Sequence, residues 1–202
     1  MPSSVNTHSD AYLWKRLKRG DREAVSIIFD QYILLLYSYG HKFTSNREVV
    51  EDCIQDLFAE IWEKRARLGD TDTIKFYLFK SLRRRILRCI KQAQQWEISD
   101  GVEHHITSSQ EDKIISQQLR EEQIRQLNEA LRSLTRRQKE ALYLKFYNRF
   151  SYDEIAEVMA LNKRTVYNLI SQAISSLQKE LKSSQDVLYP LWWPILLGIL
   201  LA

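Results

Sequence analysis

Glycine and proline are scarce, five and three in 202 residues. So few turn formers argue against a sheet protein built on tight hairpins and leave long helices as the natural reading. Cysteine is scarcer still. Cys53 and Cys89 cannot make a disulfide framework, and their places inside apolar helical patterns read as reduced thiols, buried or half-buried, of a cytosolic protein. Four histidines include one adjacent pair, His104 and His105, in a polar stretch with no Cys or His at ligand spacing, so no metal is expected. The chain has no Gly-rich phosphate loop, no G-x-S-x-G elbow and no H-E-x-x-H. With no acid–base pair or nucleophile converging, no cofactor is expected and an enzyme is the weakest class. The first residues, with Ser3, Ser4, Asn6 and Thr7, lack the apolar core of a secretory signal.

What is present is an ordinary globular balance, 44% apolar and 28% charged, enough for one or two domains. The net charge of +4 says little about partners; its distribution says more. A first helix is predicted over Ala11 to Arg19, with Leu13, Trp14 and Leu17 on one face, Gly20 as its C-terminal cap and Asp21 as the next N-cap. The second helix carries Ala24, Ile27, Ile28, Phe29, Tyr32, Leu35, Leu36 and Tyr39, a stripe wide enough to predict burial on more than one side. A third follows Asn46. Its apolar positions run from Val49 to Trp62 at three- and four-residue intervals, and its other face is acidic: Glu48, Glu51, Asp52, Asp56, Glu60 and Glu63. After a break at Gly69-Asp70, a fourth helix is predicted over Thr73 to Gln92. From Thr73 to Trp96 there is no acidic residue, while Lys75, Lys80, Arg83, Arg84, Arg85, Arg88 and Lys91 are basic. Seven like charges without a counter-charge repel one another unless something anionic lies against them. A polar linker then precedes a renewed helical period at Ile114, Leu119, Ile124, Leu127 and Leu131.

The most specific segment is Leu134 to Leu181. Thr135 and Gln138 are spaced as a capping box for a helix to about Tyr147. Ser151 and Glu154 make a second box, opening a short helix from Tyr152 to Met159. Ala160-Leu161-Asn162 is the turn, and Asn162 caps a last helix from Lys163. There Val166, Leu169, Ile170, Ala173 and Leu177 share one face, while Lys163, Arg164, Tyr167, Asn168, Ser171 and Gln172 share the other. One face to pack and one to reach base edges is how a recognition helix is built. A helical hairpin that only contacts protein is the alternative reading.

At these residues the chain resembles the sigma-70 family of RNA polymerase sigma factors, in its extracytoplasmic-function (ECF) group. The run L-T-R-R-Q-K-E-A-L-Y-L-K-F followed by F-S-Y-D-E-I-A-E-V-M-A-L-N-K-R-T-V-Y-N-L-I-S-Q-A-I-S-S-L is similar to the promoter-reading region 4 of that family. G-D-R-E-A at Gly20 to Ala24 and E-D-C-I-Q-D-L-F-A-E-I-W at Glu51 to Trp62 resemble region 2, and Y-L-F-K-S-L-R-R-R-I-L-R from Tyr77 falls where the family melts and reads the minus-ten element. The resemblance implies an all-α protein of two small helical domains joined by a flexible linker: a region 2 bundle over 10–93, the linker over 94–111, and a region 4 helix-turn-helix, of the winged-helix-like or homeodomain-like class, over 112–182. An apolar tail follows over 183–202.

It implies a partner for each face. Core RNA polymerase is expected against Asp52, Gln55, Asp56, Phe58 and Trp62, with Phe58 equally readable as core. Promoter DNA is expected at the minus-ten element against Tyr77, Lys80, Arg83, Arg84, Arg85, Arg88 and Lys91, with Tyr77 the better stacking candidate and Phe79 read as core. At the minus-thirty-five element it is expected against Lys163, Arg164, Thr165, Tyr167, Asn168, Ser171 and Gln172. An anti-sigma factor is a further expected partner, and a cytoplasmic location follows. Three departures from the family pattern stand out: Arg84 where an Asn is usual, Arg88 four positions on, and Arg149 where a Gly commonly precedes the capping Ser. At the last, Asn148 is expected to take the left-handed conformation. The tail from Leu188 to Ala202 is shorter than a bilayer-spanning helix and carries two prolines, and packing on protein, an anti-sigma interface, membrane-surface contact through Trp192 and Trp193 and a true tail anchor all remain open for it. The rival functions are a stand-alone helix-turn-helix regulator and a polymerase-sequestering interaction protein.

Overall fold

Apolar residues at helical spacing gather into two separate cores. The computed structural model describes residues 9–96 and 130–183, the side chains of 93–96 and 181–183 excepted, and the chain divides into two compact units, Met1–Thr107 and Ser108–Ala202. Among the described residues there is no strand.

In the first unit α1 spans Asp10–Lys18, one residue earlier than expected, because Ser9 caps it by accepting from the Tyr12 N–H. Gly20 follows at a φ of +86°, a conformation that costs glycine little. Asp21 then caps α2 (Arg22–Gly40), its carboxylate accepting from the N–H groups of Glu23 and Ala24. Arg16 locks the corner through ion pairs of 2.7 Å to both Asp21 and Glu23. Asn46 caps α3 (Arg47–Lys64), a 3₁₀ turn covers Arg65–Arg67, and α4 runs over Ile74–Trp96, four residues past its expected end and into the first positions assigned to the linker. The start of α4 is held from far away: Asp10 accepts from the Ile74 N–H at 2.8 Å and from the Tyr32 hydroxyl at 3.3 Å. Trp14, 1% exposed, donates its indole N–H to the Gly69 carbonyl at 2.8 Å, pinning the α3–α4 connection to α1.

Of the wide stripe on α2, Ala24, Ile28, Tyr32, Leu36 and Tyr39 are buried, and Ile27, Phe29 and Leu35 are half-buried; the helix packs on α1, α3 and α4. Leu34, outside that stripe, is 79% exposed. Tyr39, Phe79, Val50, Leu82 and Ile86 close the centre. At Gly40 a Cβ would lie 2.5 Å from a Val50 methyl, so the close approach of α2 to α3 requires glycine there.

In the second unit the described residues open with helical residues 130–133. Thr135 and Gln138 form the expected capping box for α5 (Arg136–Leu142). The helix does not continue as α-helix to Tyr147. Residues Tyr143–Tyr147 widen into a π turn, in which the Asn148 N–H donates to the Tyr143 carbonyl at 3.1 Å. The left-handed residue is Arg149, at φ 59°, and Asn148 keeps a negative φ of −96°. The reason is tertiary: this step delivers Phe150, 3% exposed, into the core beside Leu144. Ser151 and Glu154 box the start of α6 (Tyr152–Met159). Ala160 ends it in the left-handed conformation while Leu161 N–H returns to the Ala156 carbonyl at 2.8 Å, a Schellman closure. Asn162 caps α7 (Lys163–Ser183) by accepting from the Thr165 N–H at 2.7 Å. Val166, Ile170 and Ala173 of α7 pack on α5 and α6, with Leu169 and Leu177 half-buried beside them.

The expected period from Ile114 to Leu127, most of the linker and the tail from Leu188 lie outside the described residues. Among the described residues no helix is long and apolar enough to cross a membrane.

Candidate functional site

The acidic face of α3 is at the surface: Asp52, Gln55 and Asp56 are exposed. Phe58 is not; it is 8% exposed and meets Phe29 edge-on at 5.0 Å, so of its two readings the core one describes it. Trp62 is half-buried beneath the Arg65 guanidinium, 4.3 Å from its ring centre, and Arg65 also donates to the Trp62 carbonyl at 2.6 Å. Beside this face lies a groove between α2 and α3, lined by Phe29, Ile33, Leu34, Tyr37, Ile54 and Gln55. The sequence reading did not assign it. The signal was available in the run Ile33 to Leu36, which holds more apolar side chains than one buried row can use.

On α4 the basic residues divide. Arg84, Arg88 and Lys91 are exposed, while Lys80, Arg83 and Arg85 are half-buried. Arg85 corrects the expectation of seven unopposed charges. Its guanidinium turns across to α3 and binds Asp56 at 3.2 Å and Glu60. The counter-charge was on a neighbouring helix, which a reading of one helix could not supply. Glu60 is also bonded to Lys64 at 2.6 Å; that bond, aided by Arg85, holds its carboxyl below the ordinary range against a smaller opposing effect of burial. Tyr77, expected to stack on bases, is half-buried against Trp14, with ring centres 4.9 Å apart. Burial pushes its hydroxyl pKa up, and a bond to Ser81 works against that. Phe79 is fully buried, and Phe76 sits half-buried with the Lys80 ammonium 5.3 Å from its ring centre.

On α7 the two faces separate by chemistry. Lys163, Arg164, Tyr167, Asn168, Ser171 and Gln172 are exposed opposite Val166, Ile170 and Ala173. Two of the expected readers have local tasks. The Thr165 hydroxyl donates to Asn162 at 2.8 Å within the cap, and Lys163 is paired with Asp153 at 2.8 Å, which raises its pKa. Tyr167 lies on Tyr152 with ring centres 3.8 Å apart and planes 19° apart, and Lys145 stands 4.6 Å from the Tyr152 ring centre. An anion-attracting, hydrogen-bonding strip on a helix backed by a rigid short-turn partner can enter a major groove. No group of His, Cys, Asp or Glu among the described residues could hold a metal ion.

Comparisons with known proteins match both units. The family model for sigma-70 region 2 covers residues 28–97 and that for sigma-70, region 4 covers residues 124–177. An ECF RNA polymerase sigma factor, SigK of Mycobacterium tuberculosis (strain ATCC 25618 / H37Rv), is 22% identical over 181 residues, spanning 88% of this chain and 95% of that protein. The RNA polymerase sigma factor YlaC of Bacillus subtilis (strain 168) is 20% identical over 169 residues, spanning 82% and 96%. Among solved structures, CnrH in complex with the cytosolic domain of CnrY aligns with a TM-score of 0.58 at 16% identity, covering 88% of this chain and all of that one. The sigma factor RpoE from Bartonella quintana, in complex with the anti-sigma factor NepR, aligns with a TM-score of 0.55 at 25% identity, covering 78% and 98%. With both regions matched in order along one chain, this protein belongs to the sigma-70 family of RNA polymerase sigma factors, in its ECF group.

Proposed function

We propose that this sigma factor divides promoter-specific initiation among three helices. α3 holds core polymerase, α4 meets the minus-ten region as it opens, and α7 reads the minus-thirty-five element. The observation that carries the reading is the division of α7, with an apolar face buried on α5 and α6 and Arg164, Asn168, Ser171 and Gln172 exposed together. Asn or Gln bidentate to adenine, or Arg to guanine, discriminates bases by about 1–3 kcal/mol per contact. Asp52 and Gln55, with Asp56 beside them, suit a basic polymerase surface, where opposite charge speeds encounter. Arg84, Arg88 and Lys91 supply phosphate contacts. Thr165 and Arg85 act through other residues, in the α7 cap and the α3–α4 clasp. The protein performs no bond chemistry of its own. An anti-sigma partner belongs to this reading, as do the cytoplasm as place of work and, resting on the tail sequence alone, contact of Leu188 to Ala202 with a membrane surface.

The test is transcription in vitro from total genomic DNA of the source organism with its core polymerase, mapping RNA 5′ ends with and without the protein. New starts sharing two upstream elements are expected. They should weaken when Asn168 and Gln172 are both changed to Ala. Core binding without any new start would favour a polymerase-sequestering role instead, and tight duplex binding without polymerase would favour a stand-alone regulator.

A further inference from the structure

Cys53 of α3 and Cys89 of α4 meet across the interface of the two helices that carry the proposed polymerase and minus-ten contacts. The Cys53 thiol donates to the Cys89 sulfur at 3.4 Å. Both are free thiols; Cys53 is 2% exposed and Cys89 half-buried. A disulfide is about 2.05 Å long, so closing the pair requires the sulfurs to approach by roughly 1.4 Å, a distance within reach of side-chain rotation and slight helix adjustment. Arg85, one helical turn before Cys89, is clasped by Asp56 and Glu60, one and two turns beyond Cys53, so ion pairs already tie the two helices together beside the thiols.

We propose that Cys53 and Cys89 form a redox modification site, oxidised reversibly by a small-molecule disulfide to a bond that staples α3 to α4. The steps balance. The Cys89 thiolate attacks one sulfur of the oxidant and expels the other half as a thiol, leaving a mixed disulfide on Cys89. Cys53 then gives its proton to solvent and attacks the Cys89 sulfur, expelling the second thiol. Two protein thiols are oxidised by two electrons, and one oxidant disulfide is reduced to two thiols. The order follows from position, since an external oxidant meets Cys89 first. Burial, with smaller contributions from Cys89 and Asp56 and an opposing one from Arg85, pushes the Cys53 thiol up to about 12, so Cys53 is inert toward an outside reagent and reacts only with the sulfur held against it. The bridge would tie residues 36 apart in sequence and thereby restrict the unfolded chain.

The experiment equilibrates the full chain with mixtures of reduced and oxidised glutathione, quenches free thiols by alkylation and maps the digested peptides by mass. A linked Cys53–Cys89 peptide pair is expected from the folded protein. Dithiothreitol should reverse it, and oxidation should raise Tm by at least about 5 °C. In Cys53→Ser, glutathione should remain trapped on Cys89; in Cys89→Ser, Cys53 should stay unmodified until urea is added. Glutathione adducts on the unchanged protein without an internal link, links only between copies, or a link that forms only in urea would each overturn the proposal. The mapping of the unchanged protein decides the matter even if a serine variant folds poorly.

Discussion

Gly40 leaves room for a hydrogen and nothing larger. Its missing Cβ is what lets α2 approach Val50 and Ile86, both fully buried; an added Cβ would lie 2.5 Å from a Val50 methyl and 3.3 Å from the Ile86 Cδ1. Gly40→Ala should therefore destabilise the first unit by about 1–3 kcal/mol, seen as a lower urea midpoint with an unchanged slope; an unchanged midpoint would mean that the helices can part at no cost. A residue of this kind is invisible to periodicity, because a glycine at the end of an apolar helix reads as a terminator. Phe58 and Tyr77 teach the same lesson from the other side. Both stood in family positions, yet the structure puts one in the core and leans the other on Trp14. Whether a large aromatic is a contact or a support depends on a neighbour far along the chain, as with the side-chain bond from Trp14 to Gly69 that shapes this corner.

At the scale of the element, caps were the most legible feature. Thr135, Ser151 and Asn162 each accept the backbone N–H three residues on, at 3.3, 3.2 and 2.7 Å, because a cap is local chemistry written within four residues. The charge pattern of α4 was legible as a pattern, and the expectation of unopposed charge fails at Arg85. Arg85 belongs to the α3–α4 clasp, and Arg84 and Arg88 face outward. These roles separate by substitution. Arg85→Ala should lower stability by about 0.5–1 kcal/mol, the modest value of a pair whose carboxylates are 67% and 44% exposed. Arg84→Ala and Arg88→Ala should leave the unfolding midpoint in place. Each should instead reduce the salt dependence of open-promoter binding, by roughly 0.7 in log-log slope for every single-strand phosphate left without its cation. Denaturation curves and salt titrations of the polymerase complex check both halves, and a shared loss of stability in all three variants would contradict the division.

For the molecule as a whole, pH stability follows from a few paired groups. Asp21 is held below the ordinary carboxylate range chiefly by its bond to Arg16, Asp70 by Lys18, and Glu60 by Lys64. A carboxyl depressed in the folded state contributes stability above its unfolded pKa and loses it as pH falls through the folded value. Tyr32 is shifted the other way, raised first by burial and then by Asp10. Its contribution is complete below the unfolded tyrosine value and is lost as pH rises beyond it. Cys53, its thiol raised by burial, adds a loss that begins above the unfolded thiol value. Urea midpoints should thus be flat between about pH 5 and pH 8, fall on the acid side below about pH 4 and fall again above about pH 9. Removing the Arg16 partnership by Asp21→Asn should flatten part of the acid limb; an unaltered limb would assign it to other carboxylates.

The sequence by itself determined the helical class, the caps, the order of the two regions and the family, because each is encoded in residues within a few positions of one another or in motifs met in order. The tertiary structure decided what long-range contact alone can decide. It turned Arg85 inward to meet carboxylates on another helix. It placed Phe58 in the core and Leu34 outside it. It gave the left-handed step to Arg149 rather than Asn148 so that Phe150 could be buried. It set two cysteines 36 residues apart within 3.4 Å of each other. Periodicity fixes which face of a helix is apolar; only the packed neighbours fix how much of that face is covered, and which charges find a partner there.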